Sequence, residues 1–188
     1  MLAFIGLGLL GLPAAATAQG TADARLIAEA VSPLPEPLRA GATVRVFRGG
    51  GLVTIRAGTN DMICLADDPA REKWHVACYH RDMEAFMARG RELRAEGRKR
   101  AAIDSIRLAE IESGRLQVPD HPTALYSLTG PEGSFDHETG EARGARGLFV
   151  VYMPYATEET SGVSAVPSKQ RPWLMYAGRP WAHIMISR

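Results

Sequence analysis

A chain of 188 residues, 46% of them hydrophobic, is long enough for one globular domain with a sizeable core. Its formal net charge of +1 lacks the basic excess of a dedicated nucleic-acid binder, so no nucleic-acid partner is expected. Gly and Pro are numerous but scattered, which excludes collagen-like and low-complexity architectures.

The first twenty residues, MLAFIGLGLLGLPAAATAQG, are apolar, and no charge appears before Asp23. The run from Leu2 to Leu12, followed by Pro13 and the small-residue site Ala16-Thr17-Ala18, predicts a signal peptide over residues 1–18 and a single domain over 19–188. No Lys or Arg precedes the run, which marks an atypical signal or a start assigned too late; an uncleaved amino-terminal anchor is the structural alternative. No later stretch is apolar and long enough to span a bilayer, so the mature chain is expected to have no transmembrane segment. The expected location is therefore outside the cytoplasm, periplasmic or extracellular, where two cysteines read as one disulfide.

Residues 21–31 space apolar side chains at Ala24, Ile27, Ala28 and Val31, which predicts a short helix ended by the Pro-rich stretch SPLPEPL. Four short strands follow: ATVRVF, LVTIR, DMICLA and WHVACYH. They are separated by Gly49-Gly50-Gly51, by AGTND and by the loop DDPAREK. In the fourth strand Trp74, Val76, Cys78 and His80 share one face. Adjacent antiparallel strands can hold Cys64 and Cys78 opposite each other. A bridge between them closes a short loop and stabilises by about 3 kcal/mol.

The run AGTNDMICLADDPA…ACYH, the following DMEAFMARGRELRAEG and the tail PWLMYAGRPWAHIMI resemble a group of exported bacterial proteins with a GTN-x-x-x-C…C core. The resemblance covers about half of the mature chain. It implies export and a paired-cysteine sheet; the group has no known activity, so it implies no functional residue.

Beyond Arg81 the period becomes helical, with Met83, Phe86, Met87, Gly90 and Leu93 on one face and Gly97 as the stop. A second helix is predicted over 101–113, turning Ile103, Ile106, Ala109 and Glu110 to one side. Strands return in TALYSLTG, LFVVYMPY, PWLMY and WAHIMIS, with long polar loops between them and a hairpin turn at Gly178-Arg179-Pro180. The predicted class is α+β, a mainly antiparallel sheet of about seven short strands carrying two or three helices.

Candidate chemistry is sparse. His183 and His80 are the candidate catalytic histidines of an alternative reading, a small periplasmic or extracellular hydrolase. The primary reading is a disulfide-stabilised binding or structural module. Trp181, His183 and Met185 form a ligand-facing patch in this reading, with Ile184 and Ile186 turned towards the helices. The loop Asp136-His137-Glu138 lacks the spacing of a calcium loop, and no metal or cofactor is expected. Arg91, Arg94 and Arg98 are the candidates for contact with an anionic surface.

Overall fold

A computed structural model describes residues 14–187, so most of the expected signal peptide lies outside the described residues. The chain runs α1 (Ala14–Val31), α2 (Glu36–Arg39), β1 (Thr43–Arg48), β2 (Gly51–Arg56), β3 (Met62–Leu65) and β4 (Trp74–His80). A 3-10 turn, Arg81–Met83, leads into α3 (Glu84–Ala95) and α4 (Arg100–Glu112). β5 (Thr123–Gly130), β6 (Phe135–Asp136), β7 (Glu141–Ala142) and β8 (Arg146–Tyr152) follow, then α5 (Glu158–Ser161), β9 (Trp173–Met175) and β10 (His183–Ser187). Eight strands form one sheet in the order β2-β1-β3-β4-β5-β8-β10-β9, and β6 and β7 form a separate small hairpin. The class is α+β as predicted, with more strands than seven. The expected cleavage point after Ala18 falls inside α1.

All neighbouring strands of the large sheet are antiparallel except β1 and β3. Gly49 and Gly50, at φ of 59° and 79°, turn β1 into β2. Because β3 then pairs parallel to β1, residues 57–61 must cross back over the start of β1. The GTN motif builds that crossing. The Gly41 carbonyl accepts from the Thr59 and Asn60 amides at 2.7 and 2.9 Å. The Asn60 side chain donates to the Leu38 carbonyl at 2.9 Å and accepts from the Met62 amide at 3.0 Å. A Cβ on Gly58 would stand 2.3 Å from the Thr43 nitrogen, so only glycine fits.

On the next ladder Cys64 lies opposite Cys78, and the two form a disulfide with their Cα atoms 4.0 Å apart. One face of the sheet turns Val44, Val46, Cys64 and Cys78 towards Ala30 and Val31 of α1. The other turns Ile63, Tyr79, Val150 and Tyr152 towards Met83 of the 3-10 turn, Phe86 at the start of α3, and Leu108 and Ile111 of α4. The result is a sheet between two helical layers.

Two expectations change in this frame. The buried side of α4 carries Ile103 and Arg107, and not Ala109, which is exposed. In β10 the alternation holds but its faces are reversed. Met185 lies opposite Val150, which lies opposite Leu125, which lies opposite Tyr79. That register puts His183 and Met185 on the face covered by α3 and α4, and leaves Ile184 and Ile186 on the face of α1.

Candidate functional site

The expected Trp181–His183–Met185 patch is therefore interior. Trp181 and His183 are 4% and 7% exposed, and the Trp181 ring lies 5.5 Å from that of Phe86. His183 Nδ1 is 2.8 Å from the Trp181 carbonyl. A carbonyl only accepts, so Nδ1 carries the hydrogen. The ring sits between Tyr152 and Tyr176, at 4.9 and 5.8 Å, and burial lowers its pKa from the usual 6.5. Asp104, which shares Tyr176 with His183, is engaged elsewhere. It pairs with Arg107 at 2.9 Å and Arg100 at 3.2 Å and accepts from the Tyr176 hydroxyl at 3.1 Å. Among the described residues His183 has no carboxylate partner to orient it as a general base.

His80 stands in a different setting, at the end of β4 where the 3-10 turn begins. Its Nδ1 accepts from the Asp82 amide at 3.3 Å and lies 3.4 Å from Asp82 Oδ2. Its Nε2 lies 3.8 Å from Asp61 Oδ2. From the loop before β5 comes His121, whose Nε2 is 3.1 Å from Asp82 Oδ2 and whose Nδ1 is 3.1 Å from Asp120 Oδ1. Three chain segments thus bring two imidazoles and three carboxylates to one end of the sheet. Asp61 and Asp82 flank the β3–β4 pair without a ligand spacing of their own, and His121 escapes a reading of the sequence because nothing in it fixes β4 beside β5. Once Tyr79 is placed opposite Leu125, their meeting follows.

The face of α1 carries a second feature. α1 packs over β1, β3 and β4. Beyond it, two rows run across β5, β8 and β10: Ala124, Val151, Ile184 and Tyr126, Phe149, Ile186. Ala124, Phe149, Val151 and Ile186 are half-buried yet, among the described residues, join none of the four apolar clusters of the core. Tyr126 and Phe149 stack at 4.7 Å between ring centres. They floor a recess of about 370 Å³ walled by Pro33, Leu128, Ala145 and Gly147.

Most of the remaining candidates are occupied. Arg91 donates to Glu84 at 2.8 Å and to the Tyr79 hydroxyl at 3.0 Å; Glu84 also holds Arg45 at 2.6 Å, tying α3 to the sheet. Arg98 lies 3.6 Å from Glu96, so of the three basic candidates only Arg94 has no ion pair among the described residues. In Asp136-His137-Glu138 the Asp136 carboxylate accepts from the Glu138 and Thr139 amides at 2.8 and 3.1 Å, which makes it the turn between β6 and β7. Comparison with protein families, with curated proteins and with solved structures finds no match to this chain.

Proposed function

We propose that the chain is an exported, disulfide-stabilised binding protein whose ligand is a small apolar molecule lying on the Tyr126–Phe149 floor. Export is supported by the apolar leader in the sequence and by the Cys64–Cys78 bridge, which persists in oxidising compartments. Among the described residues no helix is long and apolar enough to cross a membrane. Binding is carried by one observation: two stacked, half-buried aromatic rings at the edge of the layer formed by α1, of which Phe149 joins no apolar cluster among the described residues.

Area decides the class of ligand. The two rows span three strands, about 10 Å across at the usual strand spacing, and about 7 Å along them. Such a patch, on the order of 100 Å², is far below the roughly 800 Å² per partner of a stable protein interface. It suits one face of a small molecule, and the recess beside it has the size of a small-molecule cleft.

The test uses N-phenyl-1-naphthylamine, a neutral apolar probe, titrated into the folded chain. Saturable one-site fluorescence enhancement is expected. Phe149→Ser should weaken binding at least tenfold, since one buried aromatic contact is worth about 1.5–3 kcal/mol. Its melting midpoint should change little, because Phe149 joins no core cluster. Enhancement that never saturates, or wild-type affinity retained in both Phe149→Ser and Tyr126→Ser, overturns the reading.

A further inference from the structure

We propose that His80, Asp82 and His121 form a binding site for a first-row divalent transition ion of the zinc class. One ligand atom from each lies within 4.8 Å of the others. The pair separations are informative. Bonds of 2.0–2.1 Å place neighbouring ligand atoms about 2.9 Å apart in an octahedron and about 3.4 Å apart in a tetrahedron. Asp82 Oδ2 stands 3.1 Å from His121 Nε2 and 3.4 Å from His80 Nδ1, within that span. An ion bound there would replace the direct contacts of Asp82 Oδ2 with His121 Nε2 and His80 Nδ1, at 3.1 and 3.4 Å, and the 3.3 Å bond from the Asp82 amide to His80 Nδ1.

The outward nitrogens argue in the same direction. A metal-bound imidazole presents its other N–H to an acceptor that fixes tautomer and ring orientation. His121 Nδ1 faces Asp120 Oδ1 at 3.1 Å. His80 Nε2 faces Asp61 Oδ2 at 3.8 Å, and Asp61 is itself held by Arg81 at 3.1 Å. Asp120 and Asp61 are positioning residues in this scheme.

The frame is stiff where it matters. His80 is two residues from Cys78 of the disulfide, and His121 lies between Pro119 and Pro122. Two imidazole nitrogens and one carboxylate oxygen select zinc, copper, nickel or iron over magnesium and calcium. Both Asp82 and His121 are exposed, so the remaining positions on the ion are open to solvent. The site shares no residue with the Tyr126–Phe149 recess, and either assignment stands if the other fails.

Calorimetric titration of tag-free protein with Zn²⁺ tests the assignment, with Mg²⁺ as the control. One ion per chain is expected, bound at micromolar concentration or tighter, with no Mg²⁺ uptake. Co²⁺ should give visible ligand-field bands in the wild type. Asp82→Asn and His121→Ala should each weaken Zn²⁺ binding at least a hundredfold and abolish those bands. Asp120→Asn should weaken it about tenfold or more, as loss of an outer-shell partner does. Zn²⁺ should also raise the melting midpoint of the wild type relative to chelator, which needs no variant to fold. Absence of one-to-one binding below 100 µM (on the order of the weakest affinity useful for a resident ion) overturns the proposal. So does equal binding by the His80→Ala/His121→Ala double variant, which would place the ion on His75, His137 or His183.

Discussion

Single residues of this fold set its response to pH. α1 carries Glu29 against the sheet, where it is 6% exposed and accepts from Trp74 Nε1 at 2.5 Å. Burial outweighs that bond and the nearby His137, and holds the carboxyl above its usual 4.5. A raised carboxyl favours the protonated folded chain. Its stabilising contribution is complete below pH 4.5 and is lost as pH rises through the folded value. Glu29→Gln keeps the acceptor for Trp74 without a charge. It should therefore melt higher than the wild type at pH 7, with the difference closing towards pH 4. Trp74→Phe should instead cost about 1–3 kcal/mol, because it removes the donor from a buried acceptor. Half-buried His75 and buried His183, lowered from 6.5, act in the opposite sense; their contribution is present above pH 6.5 and is lost as pH falls through their folded values. Melting midpoints across pH 4–8 check both signs.

At the scale of elements, glycines mark both what the sequence reveals and what it hides. Gly49 and Gly50 signal the β1–β2 turn, and Gly97 and Gly114, with φ of 78° and 73°, signal the ends of α3 and α4. Gly58 looks like any turn residue in AGTND, yet its real constraint is contact with the backbone at Gly41–Thr43. That contact exists only because β3 pairs parallel to β1, a choice no local pattern encodes. The β6–β7 hairpin hides for another reason: its strands are two residues long, too short to show a period. Gly58→Ala is therefore expected to cost more than about 2 kcal/mol, since the clash is with main chain and cannot be relieved by a rotamer. Gly50→Ala meets open space and bears only the left-handed φ, for about 1 kcal/mol. Urea midpoints of the two variants, side by side, separate steric contact from backbone preference.

For the whole molecule, the order of strands decides which surfaces exist, and order is what the sequence leaves open. Alternation in WAHIMIS was legible, but which face meets the helices depends on β10 lying beside β8 in one register. The Cys64–Cys78 pairing was legible because both strands are local. The meeting of His121 with His80, far apart in the sequence, was not. The same order makes β10 structural. It pairs along its whole length with β8 and also holds β9. Trp181 and Leu174, 4% and 1% exposed, belong to two different clusters of the core. Removing residues 173–188 would take away both, each worth about 1.5–3 kcal/mol of burial. It would also expose the edge of β8 with Val150 and Tyr152 beneath it. Against a total stability of about 5–15 kcal/mol, that loss should abolish cooperative unfolding of a chain ending at Pro172. Calorimetry should show no sharp transition, with a tendency to associate through the bared strand. A truncated chain that melts cooperatively at the full-length midpoint would mean that the sheet is complete at β8. The interior setting of Trp181 and His183 would then contribute nothing to the fold.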